Sequence, residues 1–291
     1  MKMNAVIFGG DARQLEISRI LSKNGYHVWM IGFNHIEKID HAEQVHVDKL
    51  ENLPIDLFIL PVSGVKEGGE VESPYAGDPL LFTKEIASLL PERCIIISGI
   101  HTPELTDIVK REILYLFDRE DVAIHNSIPT AEGTLLLAIM HTPITIHRSN
   151  VVVVGLGRVG LTTARLFQQT GAFVKTAVRE PGKFARAIEM GLEPFYMEEL
   201  NTHIKNADII INTVPSLVLT KDVIQNMKKK SLIIDLASQP GGTDFEAAKK
   251  AGIQAIHALG LPGKTAPETA GKILGHVIVD AAREWKRERG L

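Results

Sequence analysis

VVVVGLGRVG, residues 151–160, decides how the rest of the chain is read. Four β-branched residues suit a strand buried on both faces, and they run straight into G-x-G-x-x-G, completed by Gly155, Gly157 and Gly160. A helical pattern follows over residues 161–170, and GAFVKTAV then supplies a second strand. In that context each glycine has a task. Gly155 permits a tight turn, Gly157 lets the backbone approach a pyrophosphate, and Gly160 lets the helix sit close to the strand. The unsatisfied N–H groups of the helix start would meet the phosphate oxygens. Leu156, Arg158 and Val159, between the glycines, join the expected cofactor-binding loop.

The second strand ends at Ala177-Val178-Arg179, where such folds select between cofactors. An acidic side chain there binds a ribose 2′-hydroxyl, whereas an arginine accommodates a 2′-phosphate. Arg179 therefore favours NADP, and Glu180 keeps NAD open as the alternative. Lys183 is either a second phosphate contact or a solvated surface lysine. Further strands are expected at residues 208–212, 232–235 and 254–257. INTVPS (211–216) and IDLASQPGGTD (234–244) follow two of them as polar turns. Ligands of parallel sheets bind outside the carboxyl ends of the strands, so Thr213, Pro215, Asp235, Ala237 and Ser238 are candidate cofactor neighbours. Plain turn chemistry is the competing explanation for these residues.

The first half repeats the alternation, with strands expected at residues 5–8, 27–31, 56–60, 94–97 and 113–117. The fold class is therefore α/β: two doubly wound, Rossmann-like parallel-sheet domains, linked by helices across a cleft. The expected division is residues 1–128 for a substrate or partner domain, 129–149 for a linking helix and connection, 150–265 for the dinucleotide domain and 266–291 for a C-terminal linking or packing helix. The linking helix covers residues 131–140, started by Thr130 or Pro129. Between residues 62 and 79, VSGVKEGGEVESPYAGDP has no apolar periodicity and is expected to be a lid, a binding loop or a disordered segment. GGDARQ (9–14) has the strand–turn–helix shape again but lacks the third glycine, and Asp11 would repel a pyrophosphate. Its Arg13 is read as a holder of a substrate carboxylate, against a simple ion pair with Asp11.

Composition narrows the function. Over 291 residues, 45% apolar and 23% charged with a net charge of -3, nothing attracts nucleic acid or an anionic membrane. No apolar run reaches the roughly 20 residues of a membrane helix. A single cysteine, Cys94, and a start that leads into a strand without a signal-peptide pattern suggest a reducing cytoplasm. The 11 histidines form no HExxH or tight His/Cys cluster, so no metal is expected, and no G-x-S-x-G elbow marks a hydrolase. The layout resembles 2-hydroxyacid and alanine dehydrogenases. Gln239-Pro240 and Glu268, however, stand where the hydroxyacid pattern expects its arginine and histidine.

Taken together, GGDARQ, LPVSG (60–64), NSIPTAEGT (126–134), GLGRVG, INTVPS, DLASQPGGTDF and GLPGKTAPETAG resemble the dipicolinate synthase A-subunit family across nearly the whole chain. The resemblance implies oxidation of dihydrodipicolinate to pyridine-2,6-dicarboxylate with NADP or NAD. It also implies a partner, a flavoprotein-like B subunit, and a place in the mother-cell cytoplasm of a sporulating bacterium. Forming an aromatic ring supplies driving force, so positioning the substrate is the protein's main task. Two substrate carboxylates call for cations, hydroxyls or helix-start N–H groups. Arg13, Ser63, Ser98, Asn126, Ser127 and Lys264 are the candidates, with Glu132 and His125 as possible proton acceptors and His257 as a further base. A dehydrogenase of another small amino or imino acid, or a non-catalytic NADP sensor, stays open, and a homodimer is the default assembly.

Overall fold

The computed structural model describes residues 3–288. The chain forms two compact units, one from the chain up to His125 with the segment from Pro267 on, the other from Asn126–Ala266. In the first, β1 (Asn4–Phe8), β2 (His27–Ile31), β3 (Glu43–Gln44) and β4 (Leu57–Ile59) are followed by a small hairpin, β5 (Glu70–Val71) and β6 (Leu80–Leu81), and then by β7 (Ile95–Ser98) and β8 (Ile113–Tyr115). Helices α1 (Ala12–Lys23), α2 (Lys84–Leu89) and α3 (Pro103–Ile108) fill the crossovers, and α4 (Glu120–His141) leads into the second unit. The six-stranded sheet has the order β3-β2-β1-β4-β7-β8 and is parallel throughout.

The second unit repeats this plan. Strands β9 (Asn150–Val154), β10 (Phe173–Val178), β11 (Glu193–Tyr196), β12 (Ile209–Asn212), β13 (Leu232–Asp235) and β14 (Gln254–His257) form a parallel sheet of order β11-β10-β9-β12-β13-β14. Helices α5 (Arg158–Gln169), α6 (Pro181–Glu189), α7 (Leu200–His203), α8 (Lys221–Gln225), α9 (Phe245–Ala251) and α10 (Leu261–Thr265) accompany it. The last helix, α11 (Pro267–Glu288), belongs to the first unit. Both sheets thus have the strand order of dinucleotide-binding folds. The duplication extends to detail at the start of each first strand. Asn4 donates its backbone N–H to Asp56 at 2.8 Å, and Asn150 donates its own to Asp208 at 2.8 Å.

Parallel sheets covered on both faces need strands that are apolar on both sides. Ala5 and Ile7 face a core with Ile17, Leu21, Leu274 and Ile278, while Val6 and Phe8 face another with Phe58 and Phe82. In the second unit Val151 and Val153 pack with Ala164 and Phe167, and Val152 and Val154 pack with Leu219 and Ile224. Helices α1 and α11 lie against each other. A Cβ on Gly271 would stand 2.6 Å from the Arg13 carbonyl oxygen, and one on Gly275 2.9 Å from the Ile20 Cβ, so the missing side chains set the approach.

Two expectations change. The segment after Val62 is neither disordered nor an open lid, because Val65, Val71 and Phe82 are fully buried and the Phe8, Phe58 and Phe82 rings pack together. Its short strands pair with each other, and Val71 also bridges Val65; segments this short escape a search for long apolar runs. The linking helix begins at Glu120, not near Ala131, and carries Pro129 in its interior. The last helix packs against α1 within the first unit.

Gly271→Ala is expected to lower the stability of the first unit by about 1–3 kcal/mol, because the added methyl meets backbone that must move; denaturant titration measures this. Burial pushes the Cys94 thiol up to about 12. Iodoacetamide at pH 8 is expected to leave Cys94 unmodified in the folded protein and to alkylate it after denaturation, as read by intact mass.

Candidate functional site

The carboxyl ends of β9, β10 and β12 surround a cavity of about 350 Å³. It is lined by the loop 155–160, by Ala177, Val178, Arg179, Glu180 and Lys183 around the end of β10, by Met197, and by Thr213, Val214 and Pro215. Gly155 has φ +91°, and a Cβ there would stand 2.6 Å from Thr213 Oγ1. A Cβ on Gly160 would lie 2.2 Å from the Gly155 carbonyl oxygen, so helix α5 starts hard against the turn. Gly157 is different: φ is ordinary at -83° and a Cβ would meet nothing within 4 Å. It caps α5 without a side-chain hydrogen bond. The N-cap position itself therefore puts no side chain in front of the helix start, which suits an anion there.

At the end of β10 the two charged candidates are used differently. Glu180 accepts a hydrogen bond from Lys183 Nζ at 2.7 Å. Arg179 is exposed, and no carboxylate among the described residues pairs with it. Across the sheet, Thr213 Oγ1 donates to the Val154 carbonyl at 2.9 Å and ties the β12 turn to the glycine loop. Met197 and Val214 also line the cavity. Met197 follows an edge strand, Glu193–Tyr196, whose Pro194 hides the strand pattern in the sequence.

Asp235, Ala237 and Ser238, expected beside the cofactor, are divided by the structure. Asp235 is fully buried and accepts from Asn212 Nδ2 at 2.9 Å, Ala237 N at 3.0 Å, Gly242 N at 2.9 Å and Thr243 Oγ1 at 2.6 Å. Four donors leave this carboxylate no capacity to face a ligand; it shapes the loop 236–243 instead. Ala237 is buried too, with its carbonyl accepting from His257 Nε2 at 2.9 Å, so that nitrogen carries a proton and is engaged. Ser238 is exposed.

At the carboxyl end of the first sheet, Gly9 and Gly10 both have positive φ. The Glu72 carbonyl accepts from Gly10 N at 2.5 Å, and a Cβ on Gly9 would meet that carbonyl oxygen at 2.8 Å and Leu80 at 3.3 Å. The hairpin insert therefore stands where the second unit keeps its cradle open. Asp11 caps α1 by accepting from Arg13 N, and Gln14 returns its side-chain oxygen to Asp11 N. Arg13, expected to hold a substrate carboxylate, is instead 9% exposed and bonded through Nε and Nη2 to Asp11 at 2.9 and 2.7 Å. A ligand carboxylate would have to compete with Asp11 for it. Ser98 is fully buried and donates to the Ile100 carbonyl, so it is not a ligand group. Ser63 donates to Glu72 Oε2 at 2.8 Å.

On α4, Asn126 and Ser127 are buried. Ser127 Oγ lies 2.7 Å from Thr162 Oγ1 of α5, and Asn126 Oδ1 is a buried acceptor without a donor among the described residues. Thr130 Oγ1 donates back to the Asn126 carbonyl. Glu132 and His125 are exposed on the same helix, and Lys264 is exposed on α10. No group of three or more His, Cys, Asp or Glu suited to a metal occurs among the described residues. No helix among them is long and apolar enough to cross a membrane.

Residues 4–119 match the family of dipicolinate synthase A-subunit N-terminal domains, and residues 126–290 match the C-terminal domain family of alanine dehydrogenase/PNT. The chain is 44% identical to the dipicolinate synthase A-subunit of Bacillus subtilis (strain 168), over 99% of its own length and 98% of that protein. The crystal structure of the dipicolinate synthase A-subunit from Bacillus halodurans superposes with a TM-score of 0.93 at 43% identity, covering 96% of this chain and 97% of that one. A transhydrogenase from Sinorhizobium meliloti, at 15% identity and a TM-score of 0.71 over 97% of this chain and 95% of that one, shares the fold.

The glycines separate space needed by the protein from space left for something else. Gly160→Ala is expected to lower stability by about 1–3 kcal/mol, since the Gly155 carbonyl must move. Gly157→Ala should leave the denaturation midpoint unchanged.

Proposed function

The chain belongs to the dipicolinate synthase A-subunit family, and we propose that it oxidises dihydrodipicolinate to pyridine-2,6-dicarboxylate, using NADP in preference to NAD. The observation that carries this reading is the open cradle at Gly157, beside an arginine with no carboxylate partner among the described residues. A pyrophosphate fits the uncapped start of α5, with the Gly155 turn and the close seat of Gly160 fixing its position. Arg179 would hold a 2′-phosphate. Glu180, its carboxylate already bonded to Lys183, is the weaker acceptor for a 2′-hydroxyl. Met197 and Val214 offer apolar surface for the base, and Thr213 and Pro215 line the same cavity. When bound, the nicotinamide takes a hydride; the chain's own task is to orient the ring and remove a proton.

The two substrate carboxylates require partners. Lys264 is the exposed cation among the candidates; Arg13 would serve only by sharing Asp11. The relative's name, which makes it one component of a synthase, supports a second protein in the assembly, which we take to be a flavoprotein-like B chain. A mother-cell cytoplasmic setting goes with that reading. Another small amino or imino acid as substrate, or cofactor sensing without turnover, would show as outcomes of the same assay.

Freshly prepared dihydrodipicolinate with NADP or NAD, with and without a B-type partner, is expected to give pyridine dicarboxylate by mass together with reduced cofactor. Cofactor binding without product would favour a sensor. Arg179→Ala is expected to weaken NADP about 10- to 100-fold while changing NAD little, from the loss of charge-assisted hydrogen bonds. Gly157→Ala should weaken both cofactors without loss of stability, by placing a methyl in the pyrophosphate seat.

A further inference from the structure

Within the second unit, helix α4 is apolar on two sides. The inner side is covered: Ala131 and Ala138 are buried, and a Cβ on Gly133 would stand 3.1 Å from Leu261 Cβ of α10. The outer side carries Ile128, Leu136, Ile139 and Met140, and Ile144 follows just past the helix end; these five are between 45% and 67% exposed. A helix that is apolar all round belongs inside a larger protein core or a membrane. No helix among the described residues is long and apolar enough to cross a membrane, which leaves a protein surface as the cover. At these exposures the five side chains offer on the order of 500 Å² of apolar surface, and an exposed rim of Glu132, Pro143 and Thr145 carries the patch toward the roughly 800 Å² per partner of a standard interface. Past Leu136 the surface is concave, where Leu135, Ile139, Pro143, Ile144, Ile146 and Thr170 line a groove of about 570 Å³. Thr170 caps the end of α5 opposite Gly157, so the groove and the cofactor cavity lie at opposite ends of that helix.

We propose that this face joins two copies of the chain, paired through antiparallel α4 helices about a two-fold axis beside Leu136. Such a contact needs one patch that complements itself, and this patch does so in shape and in charge. Ile128 stands about 12 Å before Leu136 along the helix, and Ile144, in the groove, lies at the same sequence offset on the other side. In an antiparallel pair Ile128 of each copy therefore enters the groove of the other. Glu132 is the charge within the exposed stripe, and no cation among the described residues pairs with it. The same register sets it at the level of His141 in the second copy. Gln254 Nε2 donates to His141 Nδ1 at 2.9 Å, so the ring proton is on Nε2, which has no partner among the described residues. That N–H is a donor for the Glu132 carboxylate across the axis, once on each side. A different protein would place no demand on the spacing either side of Leu136, whereas a second copy requires the two halves to match. The pairing does not depend on the reaction proposed above.

Light scattering after gel filtration is expected to give twice the chain mass for the parent at micromolar concentration. Ile139→Asp and Met140→Asp, each placing a charge in the face, should raise the dimer dissociation constant about 100-fold or more with the far-UV circular dichroism unchanged. Cysteine cross-linking reads the register, since the chain's own Cys94 is buried. With a short bis-maleimide, Leu136→Cys should link to itself. Ile128→Cys should link to Ile144→Cys when the two chains are mixed, and neither should link alone. A parent chain that stays monomeric by itself overturns the proposal, including the case in which it pairs only with a B-type partner and the face serves that protein. A dimer that survives both aspartate variants overturns it by placing the contact elsewhere. Linking of Ile128→Cys to itself and not to Ile144→Cys overturns the antiparallel pairing.

Discussion

In a parallel sheet whose strand order reverses, the crossovers on either side of the reversal leave in opposite directions, and the carboxyl ends of the two central strands are left uncovered. Both sheets of this chain have that reversal, between β1 and β4 and between β9 and β12. What each unit does follows from how it fills the crevice. In the second unit Gly160 brings α5 against the Gly155 carbonyl, and Gly157 leaves the space in front of the helix open. In the first unit the Glu72 carbonyl sits on Gly10, and Leu80 comes within reach of Gly9 and Gly32. The same geometric vacancy thus becomes the proposed phosphate seat in one sheet and the anchor of a hairpin insert in the other.

Charge is handled with the same economy. Asp11 and Arg13 neutralise each other beside the first glycine turn, where a free aspartate would repel an anion and a free arginine would attract one. Asp235 carries its burden on neutral donors, two of them backbone N–H groups, and so dictates the path of the loop 236–243. Asp121 is held below its ordinary range chiefly by the hydrogen bond from Arg119, which also reaches Glu284 of α11 and ties the start of α4 to the last helix. Against this background Arg179 and Glu72 stand out, each lacking an ionic partner among the described residues. The proposed cofactor specificity is assigned to Arg179.

The central strands were legible because a strand buried on both faces must be apolar at successive positions, as in VVVV and IIIS. Two of the four edge strands were not. Glu43–Gln44 is short and charged, and Glu193–Tyr196 contains Pro194, both ordinary edge features that carry no hydrophobic signature. The insert after Val62 escaped for a related reason. Its buried residues, Val65, Val71 and Phe82, are spread among glycines and charges, and only long-range contact with Phe8 and Phe58 reveals them as core. The matched Asn–Asp pairs that open each sheet, separated by dozens of residues, left no recognisable repeat in the chain.

The sequence alone determined the two α/β units, the glycine loop at 155–160 and the family, because glycine spacing and strand hydrophobicity are local properties written in consecutive residues. It also placed Arg179 at the end of β10. Which polar groups remain available to a ligand was decided only in three dimensions. Asp235 and Ser98 lie at strand ends by sequence yet are consumed by the backbone around them, and Arg13 is consumed by Asp11. Glu72 gave no signal at all, since its place over the first glycine turn depends on a hydrogen bond to Gly10 across 62 residues of chain. Partners of that kind are chosen by folding, after burial has settled which donors and acceptors must satisfy one another.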